Sequence, residues 1–70
     1  MSRYDDGYIQ FNDVQVVKIT PYACLLEIND NEFWIPFSNI NQEESDIIVE
    51  GNIGTVFIKE WLVKKEHIGE

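Results

Sequence analysis

The sequence predicts a mostly β protein: a small SH3-like barrel or a curved antiparallel meander of four or five strands, with a short C-terminal α-helix. Three observations carry that expectation. Short runs of β-branched and aromatic residues alternate with polar ones, the pattern of strands that bury one face. Turn-forming clusters separate the runs, at Thr20-Pro21-Tyr22-Ala23, Asn29-Asp30-Asn31-Glu32 and Gly51-Asn52-Ile53-Gly54. From Ile58 onward the apolar period switches, and Trp61, Leu62, Lys65 and Ile68 recur at helical spacing.

Residues 1–7 are polar, contain the turn signal Asp5-Asp6-Gly7, and are expected to be a flexible N-terminus. Residues 8–70 then form one domain. Tyr8 to Phe11 alternates as a short strand, and Asn12-Asp13 breaks it. Val14 to Thr20 is rich in β-branched residues and is the next strand. Pro21 fits a turn through its fixed φ, and Ala23 to Ile28 follows as a strand. The most aromatic run, Glu32-Phe33-Trp34-Ile35-Pro36-Phe37-Ser38, is a strand with Phe33, Ile35 and Phe37 on one face and Trp34, Pro36 and Ser38 on the other. Ile47 to Glu50 and Thr55 to Ile58 pair as a second hairpin, with Val49 opposite Val56 and Ile47 opposite Ile58. Glu60 stands four residues before Lys64 in the favourable helical order, and Gly69 is placed to stop the helix. The segment from Ser38 to Asp46 is too short and polar for the helix that an OB-fold carries at that point.

Turn positions set the register. With Asp30-Asn31 as the two turn residues, Ile28 lies opposite Phe33, Leu26 opposite Ile35 and Cys24 opposite Phe37. With Pro21-Tyr22 centring the earlier turn, Ile19 lies opposite Cys24 and Val17 opposite Leu26. Both assignments put the large apolar residues on one face, and a slip of one residue breaks the agreement. The other face then collects Val14, Val16, Lys18, Leu25, Glu27, Trp34, Pro36 and Ser38. That is an apolar patch carrying two opposite charges, unlike the polar outer face of a solitary sheet. Trp34, Leu25, Glu27, Lys18, Tyr22, Pro36 and Ser38 are the candidate binding residues, and a homo-oligomer that buries this face is expected, with a ligand surface around Trp34 as the alternative. Trp61 is expected in the core.

The chain carries a formal net charge of −8, and residues 1–58 hold only Arg3 and Lys18 as cations. Such a body opposes autonomous nucleic-acid binding, which draws on Lys and Arg. Asp30, Glu32, Glu43, Glu44 and Asp46 form a candidate acidic surface for a basic partner. The single Cys24 excludes an internal disulfide and sits in an apolar run, as a buried inert thiol in a reducing compartment would. No apolar run approaches the roughly 18–20 residues of a membrane span, and the N-terminus lacks the basic-then-apolar order of a secretion signal. A cytoplasmic protein is expected, with no membrane partner.

Catalytic chemistry finds little footing. His67 stands alone in the terminal turn, Cys24 faces the core away from any activating base, and no Cys/His cluster has metal-ligand spacing. Glu43, Glu44 and Asp46 lack the ligand alternation and glycine of a calcium loop. Gly51-Asn52-Ile53-Gly54 is a turn between strands, too short for a phosphate loop. A non-enzymatic binding module without metal or cofactor is the expectation.

The order Thr20, Ala23-Cys24-Leu25-Leu26, Trp34-Ile35-Pro36-Phe37-Ser38-Asn39-Ile40, Gly51, Gly54 and Trp61-Leu62 resembles a family of small phage and mobile-element accessory proteins. The likeness spans about residues 14–65, and its sharpest element is W-x-P-x-S. It implies origin rather than mechanism. The natural setting would be counter-defence in an infected or lysogenic bacterial host. One version blocks a host immune protein through the acidic body. Another sequesters its nucleotide signal between Trp34, Tyr22, Lys18 and Arg3 at a subunit junction. The alternatives are a single-stranded DNA accessory in phage recombination or replication, and a structural subunit of a larger assembly.

Overall fold

A computed structural model describes residues 7–46 and 48–70. Four strands, β1 (Tyr8–Ile19), β2 (Ala23–Ile28), β3 (Asn31–Pro36) and β4 (Ile53–Lys59), form one antiparallel sheet in the order β3-β2-β1-β4. A short 3-10 turn at Phe37–Asn39 leaves β3, and one helix, α1 (Glu60–Glu66), follows β4 directly. The mostly β architecture with a short C-terminal helix is therefore as expected. The sheet curves far enough that Ile40, just beyond β3, forms an isolated bridge with Ile58 of β4.

Long strand β1 is the spine, because both β2 and β4 pair with it. It is one strand where the sequence suggested two. Asn12-Asp13 does not break it but forms a bulge: Phe11 pairs with Val56 and Val14 with Gly54, so two residues of β1 face one of β4. Asp13 takes a left-handed φ of 56° there, as short polar side chains tolerate. A second bulge falls at Val17, since Val16 pairs with Leu26 and Lys18 with Leu25. Each bulge shifts the alternation by one. Ile9, Phe11, Val14, Val16 and Ile19 therefore all belong to the core side, although their numbers change parity twice.

This corrects the predicted faces. Val14 and Val16 are buried in the core and do not extend the Trp34 face. Ile19 pairs with Cys24 as expected, but Val17 is the unpaired bulge residue and Leu26 pairs with Val16.

The turn between β1 and β2 forms where expected. Thr20 Oγ1 accepts the Ala23 amide at 3.0 Å, and the Thr20 amide donates to the Ala23 carbonyl at 2.8 Å. Between β2 and β3 the turn residues are Asn29 and Asp30, with φ of 54° and 68°, the left-handed pair of a type I′ hairpin. Leu26 therefore pairs with Phe33 and Cys24 with Ile35, two residues away from the predicted register. A slip of two keeps every side chain on its face, so the core of Cys24, Leu26, Ile28 and Ile35 stands.

The predicted second hairpin does not form. Residues 48–52 lie outside any strand, and β4 pairs with β1, placing Val56 opposite Phe11 and Ile58 opposite Ile9. Ile47 lies outside the described residues. Val49 to Asn52 is a turn held against β1: the Gly51 amide donates to the Val16 carbonyl at 2.8 Å, and the Val16 amide to the Asn52 carbonyl at 2.9 Å. Gly51 has a φ of 89°, which a side chain would strain.

Helix α1 buries Leu62 and Val63 on the core and leaves Trp61 50% exposed, so Trp61 is not a core residue. The Glu60–Lys64 ion pair forms at 3.0 Å. His67, with a φ of 55°, and not Gly69, ends the helix, and the Ile68 amide reaches back to the Val63 carbonyl at 3.0 Å. The flexible N-terminal segment was predicted over residues 1–7, of which only Gly7 is described; its carbonyl accepts the Glu60 amide at 3.0 Å.

Candidate functional site

The outer face of the sheet is built from two cross-strand rows. One runs Ile53, Gln15, Glu27, Glu32 across all four strands. The next runs Lys18, Leu25, Trp34 across three. Beyond them Pro36 lies opposite Ala23. Trp34 is 52% exposed, and Leu25 and Pro36 are half-buried beside it. Predicted site residues Lys18, Leu25, Glu27, Trp34 and Pro36 therefore do share this face.

Others do not. Ser38 lies in the 3-10 turn after β3 has ended, so it leaves the strand face. Tyr22 stands at the tip of the turn between β1 and β2, 84% exposed. Arg3 lies outside the described residues. The acidic residues fall into two groups. Asp30 sits in the hairpin turn and Glu32 on β3, whereas Glu43, Glu44 and Asp46 belong to the loop before β4. Asn41 Oδ1 accepts the amides of Glu43 and Glu44 at 3.1 and 3.2 Å.

Asp46 has a structural task. Its carboxylate accepts the Thr55 amide at 2.8 Å, and its own amide donates to the Thr55 carbonyl at 2.8 Å. Gly54 permits the approach, because a Cβ there would come within 2.6 Å of the same carboxylate oxygen. The Phe57 amide donates to Ser45 Oγ at 2.9 Å, and the Asn41 amide to the Phe57 carbonyl at 2.9 Å. Residues 40–46 thus cover the outer edge of β4. Pro21, Phe37, Gln42, Ser45, Asp46 and Ile48 line a cleft of about 550 Å³ at that end.

The β3 side differs. The Phe37 amide bonds to the Tyr22 carbonyl across the ladder, and antiparallel bonding alternates. Phe33 and Ile35 therefore direct their backbone groups at β2, and Glu32, Trp34 and Pro36 direct theirs at the open edge. By the same alternation Glu27–Glu32 and Leu25–Trp34 are non-hydrogen-bonded pairs, the closer kind, with side chains side by side. Two glutamates thus stand as direct cross-strand neighbours on the outer face. Among the described residues neither joins an ion pair; the pairs present are Lys64–Glu60 and His67–Glu70. Alongside runs a groove of about 370 Å³, lined by residues Glu32 to Pro36 of β3 and by Leu62 and Glu66 of α1.

Sequence reasoning missed Ile53, 63% exposed at the end of the acidic row, because it assigned that residue to a turn. It also missed Glu66, whose position against β3 depends on how α1 folds back over the sheet. The helical spacing of Leu62 and Glu66 was visible, but not what the helix would face.

Cys24 is fully buried, with Sγ 3.8 Å from the Ile35 carbonyl, and burial pushes its thiol up to about 11. His67 lies on the surface with Nδ1 3.2 Å from a Glu70 carboxylate oxygen. Among the described residues no group of three or more His, Cys, Asp or Glu is arranged to hold a metal, and no helix is long and apolar enough to cross a membrane. No family model, curated protein or solved structure matches the chain.

Proposed function

We propose that the chain is a non-enzymatic binding module that docks a basic partner protein on the outer face of its sheet. The observation that carries this is the Glu27–Glu32 pair. Like charges directly opposite destabilise a sheet, and these two stand beside Trp34 and Leu25 with no cation of the described chain paired to them. A partner lysine or arginine would neutralise the pair, while Trp34 and Ile53 supply apolar contact at either end of the face. Joined to the resemblance to phage accessory proteins, the partner would be a basic, nucleic-acid-handling host immune protein, which the module blocks.

The test uses Trp34 fluorescence in a Trp61→Phe background, with polylysine and a single-stranded DNA oligonucleotide as probes. Polylysine is expected to shift the emission with an affinity that falls as salt rises, and DNA is expected to leave it unchanged. Glu27→Gln/Glu32→Gln should weaken polylysine binding far more than Glu43→Gln/Glu44→Gln in the loop. Equal losses from the two double variants, or DNA binding at Trp34, would refute the proposal.

A further inference from the structure

We infer that the open edge of β3 is a strand-addition site for an extended basic segment of the partner, seated between β3 and α1. The inference deepens the proposed function and rests on it. A four-stranded sheet of this order has two edges. Residues 40–46 cover the β4 edge with backbone and side-chain hydrogen bonds to Thr55 and Phe57. Among the described residues nothing comparable covers β3. Among the described residues the backbone groups of Glu32 and Trp34 that point away from β2 make no hydrogen bond. Edges left open in this way template pairing with another chain.

The groove states the chemistry of the occupant. A strand added to β3 would alternate its side chains like β3 itself. Residues opposite Glu32 and Trp34 would lie on the outer face, beside two carboxylates and an indole, where lysine or arginine gains both an ion pair and a ring face. Residues opposite Phe33 and Ile35 would turn inward, towards Leu62 of α1, where apolar side chains fit. Glu66 adds a second carboxylate at the groove wall, and no cation among the described residues lines the groove. The occupant is thus an extended segment alternating basic and apolar residues. A second copy is disfavoured at this edge, since it would bring another Glu32, another Glu66 and another net charge of −8. Pro36, which has no amide hydrogen, ends the site at one side.

The experiment titrates isotope-labelled protein with a short peptide alternating lysine and valine, and with the same peptide N-methylated on alternate amides. The lysine–valine peptide should shift the Glu32 and Trp34 amide signals and slow their hydrogen exchange. N-methylation of the pairing amides should cost about tenfold in affinity, as two lost backbone hydrogen bonds would. Trp34→Pro, which removes one donor at an edge position where proline is tolerated, should lose a similar factor, while Trp34→Phe keeps the exchange protection. Equal binding of both peptides, with unprotected Glu32 and Trp34 amides but continued dependence on Glu27 and Glu32, would overturn strand addition and leave the docking face standing. Absence of any salt-sensitive binding would remove both. Protection of the same amides by protein concentration alone would give the edge to a second copy and overturn the inference.

Discussion

Replacing Glu32 by lysine should make the protein more stable and worse at binding. Glu27 and Glu32 are direct cross-strand partners in the closer, non-hydrogen-bonded geometry. Cross-strand charge pairs contribute about 0.2–1 kcal/mol, favourable for opposite and unfavourable for like charges. Turning repulsion into attraction therefore gains about 1 kcal/mol at low salt. A domain of this size has a total stability of roughly 4–10 kcal/mol, at about 0.05–0.15 kcal/mol per residue. A gain of that size raises Tm by about 4–8 °C in a domain of this length. Thermal unfolding followed by circular dichroism reads it directly. The gain should fade near 1 M salt, where the screening length is about 3 Å. Glu43→Lys serves as control, because that loop carboxylate has no strand partner, and it should gain much less. Polylysine binding by Glu32→Lys should fall as its Tm rises. A Tm gain that persists in high salt, or that Glu43→Lys matches, would refute the account of the pair.

Three further outcomes follow from the core and the turns. Leu26→Ala empties a fully buried site and should cost about 2–5 kcal/mol in urea unfolding; a loss below about 1 kcal/mol would mean the site collapses or is not core. Cys24 should resist alkylation in the native protein and react on unfolding. Its folded thiol titrates near 11 against an ordinary 9.0, so the unfolded chain binds fewer protons above pH 9. Stability should therefore fall from about pH 9 to 11, by at most about 1.4 kcal/mol per pH unit, a slope that Cys24→Ala should flatten. Gly69→Ala meets both a φ of 85° and a contact 2.8 Å from the Phe11 ring; it should cost at least about 1 kcal/mol in denaturant unfolding, and an unchanged midpoint would show that the C-terminal turn moves freely.

How much of this was legible in the sequence depended on where parity carries information. The hairpin of β2 and β3 was readable because Cys24, Leu26 and Ile28 share one parity and a run of turn-forming residues follows them, even though Ala23 and Leu25 are apolar as well. Its turn was misplaced by one residue because Asn29, Asp30 and Asn31 all tolerate a left-handed backbone, and no glycine singles out a pair. The error was harmless to the faces, since it moved the register by two. The bulges were not readable. Asp13 looked like a strand breaker, and Val17 is the same residue as Val16 before it, so nothing in either residue type announces an extra position. Val14 and Val16 consequently went to the wrong face, and the outer patch was drawn too large. Ile47 to Glu50 has strand composition, yet β1 offers β4 a longer partner, and tertiary pairing overrode local propensity. Lys18, Leu25 and Trp34 stayed on one face because Lys18 lies on the turn side of the Val17 bulge and β3 slipped against β2 by two, which put Trp34 rather than Pro36 opposite Leu25.

The two bulges also decide where this chain tolerates a change of length. Val17 is skipped by both of its neighbouring pairs, Val16–Leu26 and Lys18–Leu25. A chain without it would pair the same residues and turn the same side chains inward. The same holds where Asn12 and Asp13 together face a single position of β4. Loss of Gln15, by contrast, would place Val14 and Val16 in succession and drive one of them out of the core. Relatives of this protein that differ by one residue in β1 are therefore expected to differ at these two points. What such a deletion alters is the bend of the strand, and with it the approach of Ile40 to Ile58 that draws the ends of the sheet together.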